Sequence, residues 1–379
     1  MKKNSIVIFA GWSIDKIEDK YFIPKTHYTY VSFISSKYTE VIILSPTRKC
    51  NSNLDNKIFL NYKNVKVYEL PNYNTFIGSI KYFFSFYRLI KSLKEHNLFY
   101  CRVPDPYSWL PKLFFRKECI IHFVGDGFDS IWSNQFTSLL KKIIFTLAYT
   151  PDFILTLLVC YKSKVFTNGE HIAKRLKKFK VNATPLISST LTENDFHYKL
   201  KRKSNIVNLL YLGYLSPHKG IKTIIEFIDI LQKNKVNYKF NIIGDGVMKE
   251  YIENYIKSNN LYEKIILYGH INDREFINQI IDNSDFFIFP SISEGSPRVI
   301  LEVMARNLPV ISTPVGSLPF VFKNRIDILF AEFNNAISFY NTLLWALNNY
   351  NEVNKISSNA FFKVKNNYTI DKFLNQIFT

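Results

Sequence analysis

The stretch Ile206-Val-Asn-Leu-Leu-Tyr-Leu-Gly-Tyr-Leu-Ser-Pro-His-Lys-Gly-Ile-Lys-Thr-Ile-Ile-Glu-Phe-Ile-Asp-Ile-Leu-Gln-Lys233 reads as one strand, one glycine turn and one helix. Its β-rich run, 206–212, stops at Gly213, and 219–233 then places apolar residues at helical spacing. The unit repeats downstream. Residues 238–243 predict a strand and 247–258 a helix. Strands at 264–268 and 285–289 flank a helix near 273–282, and a helix at 296–306 precedes a strand at 309–312. Strands this apolar, alternating with helices, imply a parallel sheet covered on both faces. The first half repeats the plan less regularly, with strands at 5–9, 40–44, 98–101, 119–123 and 164–166. The expected fold class is therefore α/β, with two doubly wound, Rossmann-like domains in tandem: residues 1–200, then 204–355. The seam falls near 196–204, where Lys199, Lys201, Arg202 and Lys203 make a polar linker. Residues 356–379 predict a helical tail with no strand to pair with.

Composition excludes several classes. The 379 residues are 47% hydrophobic and 16% aromatic with only 14 prolines, enough apolar surface to offset chain entropy, so disorder is excluded as the main state. The net charge of +18 is unevenly placed: residues 1–203 hold 32 basic and 15 acidic side chains, residues 204–379 hold 17 and 16. One half is strongly cationic and the other neutral, which implies different partners. Cys50, Cys101, Cys119 and Cys160 form no C-x-x-C pair, which argues against a zinc site and for free thiols in a reducing compartment. The apolar run 6–10 is too short for a signal peptide and leads into Gly11 like a first core strand. The longest apolar stretch, 143–161, has the length of a membrane span, but Pro151-Asp152 sits at its centre. It reads as a buried helix, a break, and a second buried or membrane-grazing helix.

Only 12 glycines occur, and seven of them, Gly11, Gly125, Gly127, Gly169, Gly213, Gly244 and Gly269, follow a predicted strand. In an open parallel sheet, ligands bind beyond the carboxyl ends of the strands; ordinary turn chemistry is the competing explanation. No G-x-G-x-x-G follows the first strand, and no P-loop motif occurs. The most informative segment is Phe289-Pro-Ser-Ile-Ser-Glu-Gly-Ser-Pro-Arg-Val-Ile-Leu-Glu-Val-Met-Ala-Arg306. Glu294 closes a strand-to-helix loop, Pro297 suits a first helical turn, and Glu302 lies a little over two turns on. The N–H groups of Gly295 and Ser296 at that helix start can hold an anion. A carboxylate beside an anion site fits a ligand that presents hydroxyls as well as phosphate, as a nucleotide sugar does. Taken singly, Glu294 can be a helix cap and Glu302 a surface charge. Lys219, presented where the 206–212 strand turns into its helix, can neutralise a diphosphate.

The order Gly-x-x-x-x-x-Lys-Gly (213–220), Ile-Gly-Asp-Gly (243–246), Tyr-Gly-His (268–270), Pro-Ser-x-x-Glu-Gly with a second Glu (290–302) and Pro-Val-Ile (309–311) resembles retaining glycosyltransferase family 4, the group 1 family with the GT-B fold. The likeness covers roughly 206–316, and the paired-glutamate segment is its most specific part. It implies that Glu302 binds the donor ribose, Glu294 the transferred sugar and Lys219 the diphosphate. Gly213, Gly244, Gly295, Ser296 and Gly11 would line the donor site, and His270 and Ile271 would meet the base. It further implies a UDP- or GDP-sugar donor, a glycan or lipid-linked acceptor handled by residues 1–200, no cofactor and no metal. The tail after 356 would cross back to the first domain. His122 and Asp126 occupy the region where the family contacts the sugar or acceptor, although a histidine on an apolar strand is commonly a core residue. One departure is clear. The family usually places an Arg after the first glycine of this half, where this chain has Tyr214, so either the phosphates fall to Lys219, the helix start and Arg298, or the donor is bound weakly. An ion pair between Glu294 and Arg298 is the competing reading of Arg298.

Residues 76–96 carry Lys81, Arg88, Lys91 and Lys94 among Phe83, Phe84, Phe86 and Tyr87, and 171–180 adds five basic residues. Such helices suit an anionic membrane surface; a solvated lysine-rich face is the alternative. The expectation is a retaining glycosyltransferase of surface-polysaccharide synthesis, cytoplasmic or peripheral on the inner membrane face. A non-catalytic nucleotide-sugar-binding relative and a nucleic-acid-binding protein are the alternatives. The first would explain Tyr214, and the second would explain the charge but not the paired glutamates.

Overall fold

The computed structural model describes residues 3–50, 57–73, 75–133, 137–201 and 204–379. The chain forms two compact units, Met1–Leu186 with Leu374–Thr379, and Ile187–Phe373. The units part ahead of the expected seam, because the stretch after Leu186 is tied to the second unit. His197 N–H donates to Ala305 O at 2.9 Å, Asn307 Nδ2 to Lys199 O at 3.0 Å, and Lys201 Nζ to Asp282 O at 2.9 Å. Arg202 and Lys203 of the expected linker lie outside the described residues. Of the tail, only residues 374–379 cluster with the first unit, where the Phe378 ring lies 5.2 Å from that of Tyr100. The helix Tyr350–Asn367 stays with the second unit, burying Val353, Ile356, Ala360, Phe361 and Val364.

The first unit holds β1 (Lys3–Phe9), β2 (Ile14–Ile17), β3 (Lys20–Pro24), β4 (Tyr38–Lys49), β5 (Lys57–Phe59), β6 (Val65–Leu70), β7 (Leu98–Val103), β8 (Glu118–Phe123), β9 (Lys164–Asn168) and β10 (Thr184–Leu186). Their order is β10-β9-β8-β7-β1-β4-β2-β3-β5, with β6 also on β4. The central strands run parallel, while β2, β3 and β5 add an antiparallel edge that sequence periodicity did not predict. The second unit holds β11 (Val207–Leu212), β12 (Tyr238–Ile243), β13 (Ile265–Gly269), β14 (Phe286–Phe289), β15 (Val310–Ser312) and β16 (Leu329–Phe330). These are all parallel, in the order β13-β12-β11-β14-β15-β16. Every residue of β14 is buried, and the helix Ile221–Lys233 buries Ile221, Ile224, Ile225, Ile228 and Leu231 at helical spacing against that sheet. The α/β, doubly wound reading of both halves holds.

The apolar stretch around Pro151 is a correction. Leu139–Cys160 is one helix with Pro151 inside it, not two helices and a break. Nor is it wholly buried: Leu140, Leu147 and Leu158 are each more than 60% exposed. Asp152 explains how the charge is accommodated. It faces the core, where its Oδ1 accepts from Tyr107 N–H at 3.0 Å and Trp109 Nε1–H at 2.7 Å. Burial nevertheless raises its carboxyl from 3.8 to about 6, outweighing those two bonds. Between these values the folded state holds a proton that the unfolded chain releases. The group's stabilisation is therefore complete below about pH 4 and lost as pH rises through 6, a difference of about 3 kcal/mol by pH 7. Asp152→Asn keeps an Oδ1 acceptor and removes the charge. It should raise stability at pH 7 by about 1–3 kcal/mol and flatten the pH dependence between 4 and 7. Urea titration at several pH values checks this, and a variant less stable at pH 7 contradicts it.

Candidate functional site

In the second sheet, chain order reverses between β11 and β14, which lie side by side although 12 and 13 come between them in sequence. Loops leaving the carboxyl ends of two such strands diverge and open a crevice, the usual ligand position in this architecture. The β11 loop presents Lys219 and the β14 loop presents Glu294. The lysine Nζ donates to Glu294 Oε1, joining residues 75 apart in sequence. Both side chains are mostly withdrawn from solvent, 21% and 13% exposed. Ser291 Oγ also donates to Glu294 Oε1, at 3.0 Å, and Ile292 N–H donates to His218 O at 2.8 Å, so the two loops are fastened side by side. Gly220 makes this approach possible. It has φ +75°, and a Cβ there would stand 2.0 Å from the Pro290 carbonyl oxygen. His218, beside the lysine, is held below its ordinary value by burial and then by the Lys219 charge.

The other predicted positions border the same strand ends. Gly213 N–H donates to Ile243 O at 3.0 Å, and Gly244 N–H to Gly269 O at 2.8 Å, so the turns after β11, β12 and β13 are stitched backbone to backbone. Gly244 has φ +146°, and a Cβ would fall 1.9 Å from Gly213 O. His270 is exposed, with Nε2 2.9 Å from Asn272 Oδ1, and Ile271 packs on the core. Tyr214 is 54% exposed; its carbonyl accepts from the buried Tyr211 hydroxyl at 3.0 Å, which positions the backbone but supplies no charge.

The helix of the paired-glutamate segment begins later than expected, at Arg298, with Pro297 as its cap residue. Gly295 and Ser296 thus lie in the loop before it rather than in its first turn. Gly295 O accepts from Ser317 N–H at 2.9 Å. Arg298 is exposed and makes no ion pair among the described residues, so the Glu294–Arg298 pair is replaced by Glu294–Lys219. Glu302 is held apart from Glu294's partners: its Oε2 accepts from Arg274 Nη1 at 2.8 Å. Arg274, Ser291 and His218 were not singled out from the sequence. Ser291 stands inside the quoted motif, whereas Arg274 carries no local signal.

In the first unit the structure places the expected residues differently. His122 is 1% exposed, with Nδ1 2.7 Å from the Tyr100 hydroxyl and Nε2 2.9 Å from Asn168 Oδ1. Burial pushes its value down to about 4, so it is neutral at pH 7. This is a satisfied core histidine, and its reading as a sugar contact is corrected. Asp126 accepts from the N–H groups of Phe128 and Asp129 at 2.9 and 3.1 Å, and pairs with Arg175. It fastens the turn after β8 and is not presented as a free base. Gly11 follows β1, but its N–H already donates to Asp105 Oδ2 at 2.8 Å.

Residues 192–361 match the family described as Glycosyl transferases group 1. An uncharacterized glycosyltransferase of Methanocaldococcus jannaschii is 26% identical over 298 residues, 76% of each chain. The Escherichia coli UDP-Gal:alpha-D-GlcNAc-diphosphoundecaprenol alpha-1,3-galactosyltransferase is 32% identical over 181 residues, 47% of this chain and 45% of that protein. Among solved structures, the sucrose-phosphate synthase of Thermosynechococcus elongatus superposes with a TM-score of 0.71 at 13% identity, covering 99% of this chain and 97% of that one.

Proposed function

We propose, for a chain that belongs to the group 1 glycosyltransferases, has the GT-B fold and is a glycosyltransferase, that it moves a sugar from a nucleotide-diphosphate donor to a lipid-linked glycan with retention at the anomeric carbon. The observation that carries this reading is the Lys219–Glu294 pair at the β11/β14 crevice. A cation and a carboxylate held together there suit a ligand with phosphate at one end and sugar hydroxyls at the other. Lys219 would meet the diphosphate as a point charge, with the exposed Arg298 as a second cation. Glu294 would accept hydroxyls of the transferred sugar, and Glu302 those of the ribose. The turns at Gly244 and Gly269–Ile271 would take the base. The Escherichia coli relative's name supports a UDP-sugar and a diphosphoundecaprenol-linked acceptor. The nucleic-acid and non-catalytic alternatives give way to this reading.

The chemistry follows from positions. The bond between the anomeric carbon and the diphosphate oxygen breaks, the acceptor oxygen bonds to the same face, and the acceptor proton passes to the departing diphosphate. No protein base is required. The residues orient the two reactants, and Lys219 stabilises the charge that accumulates on the leaving group.

The test is a thermal-shift and calorimetric panel of UDP- and GDP-sugars. One donor series should stabilise the protein, and Glu302→Ala should weaken that donor by about 1.5–3 kcal/mol through loss of charge-assisted bonds to ribose. A variant that binds both nucleotides as the wild type does contradicts the ribose assignment. Protein that responds to no nucleotide sugar contradicts the whole reading.

A further inference from the structure

We propose that the exposed face of the helix Leu139–Cys160 is a docking surface for an anionic lipid bilayer, on which the first unit rests with this helix lying in the plane of the interface. The helix has two dissimilar sides. Tyr149, Asp152, Phe153, Thr156, Val159 and Cys160 are buried against the unit's core. Opposite them, Leu140, Ile144, Leu147, Ile154 and Leu158 are exposed at alternating intervals that keep them on one stripe, and the exposed Pro151 lies on the same line. Leu140, Leu147 and Leu158 are 68%, 67% and 61% exposed. Five large aliphatic side chains in a continuous row form a patch of the kind that marks a partner.

The arrangement fits a surface helix and not a span. One side is committed to the core, and Asp152 is anchored there by Tyr107 and Trp109. The charges identify the occupant. Apart from the core-facing Asp152, the charged residues of this helix are Lys141 and Lys142 at its start, and the exposed Lys162 and Lys164 follow its end. Apolar residues in the middle and lysines at both ends match acyl chains between anionic headgroups, into which lysine side chains reach. Adjoining elements continue the pattern. Phe179, 50% exposed among the exposed Lys177, Lys178 and Lys180, has its ring 5.8 Å from that of Phe153. Trp132, 48% exposed, sits at the helix start, where Lys142 Nζ donates to its carbonyl at 2.8 Å. A second copy of this chain is the less suitable occupant. Residues 1–186 hold 28 basic and 13 acidic side chains, +15, and would repel a like surface while attracting an anionic one.

The inference extends the reading of a lipid-linked acceptor but is tested without the acceptor. The full chain is floated with vesicles of phosphatidylcholine alone and with phosphatidylglycerol added, while nucleotide binding is measured in parallel. Wild type should bind the anionic vesicles, less well as salt rises. L140Q/L147Q/L158Q should lower the partition coefficient at least about 100-fold with nucleotide binding unchanged. Lys141, Lys142 and Lys162 changed to Gln should lower it about 10-fold or more. Brominated acyl chains should quench Trp132 in the unmodified protein, a readout that does not depend on the variants folding. Wild type that ignores anionic vesicles, an apolar-stripe variant that binds them normally, or a wild-type dimer that the stripe variant dissociates without lipid would each overturn the proposal. Failure of nucleotide binding in wild type would instead count against the donor site.

Discussion

Glu294→Gln should lower sugar transfer about 10²–10³-fold or more, with the protein still folded. The carboxylate is held by Lys219 and Ser291 in a crevice where it is 13% exposed. The amide preserves its size and one acceptor oxygen, so the loops after β11 and β14 keep their spacing. What disappears is the negative charge opposite the lysine and, on the proposed reading, the strongest acceptor for the sugar hydroxyls as the anomeric carbon gains positive character. The effect should fall on kcat more than on nucleotide affinity, because the contacts proposed for ribose and base belong to other residues. A loss of this size corresponds to about 2.7–4 kcal/mol of transition-state stabilisation. Rates are compared in kcat/KM on the donor found by the panel. A variant within threefold of wild type would remove Glu294 from the chemistry. A fall confined to KM would reduce it to ground-state binding.

Gly220→Ala should be nearly as damaging by a different route. A Cβ at this residue would stand 2.0 Å from Pro290 O and 2.7 Å from Pro290 C, both backbone atoms that cannot rotate away. The φ of +75° adds a left-handed conformation that costs an alanine about 1–2 kcal/mol. The β14 loop must therefore shift, taking Ser291 and Glu294 away from Lys219. Stability should fall by about 2–4 kcal/mol, and donor binding should be lost together with transfer. This separates the variant from Glu294→Gln, in which binding survives. Urea denaturation and calorimetric titration provide the two readings. An alanine variant with wild-type stability and donor affinity would show that the contact between these loops is not needed.

Much of the second unit is legible residue by residue. The expected strand at 238–243 is the observed Tyr238–Ile243, and the expected helix at 273–282 is Arg274–Asn283. Apolar runs, helical spacing and cap residues such as Asp273, whose side chain accepts from Glu275 and Phe276 N–H, are all local. The first unit is less legible at its edge. β2 and β3 are joined by the charged pair Glu18-Asp19, which lacks the glycine that usually announces a hairpin. The helix through Pro151 misleads because the rule that proline breaks helices is also local. Here one helix runs through Pro151, and the Asp152 carboxylate beside it is tied into the core by Tyr107 N–H and Trp109 Nε1–H.

Chain pattern is thus enough for the two doubly wound sheets and for the motifs that end at strand termini, because hydrophobic period and turn chemistry act over a few residues. Which motif residues meet is a property of the folded sheet. Glu294 as partner of Lys219, and Glu302 as partner of Arg274, depend on the crossover that sets β14 beside β11 and on the packing of two helices. His122 shows the same division from the other side. Its place on an apolar strand and the glycines after it suit either a ligand contact or a core residue. Only the arrival of Tyr100 and Asn168, 22 and 46 residues away, occupies both nitrogens and fills its surroundings. Long-range pairs of this kind leave no spacing in the chain, since the register that creates them is set by the neighbouring strands.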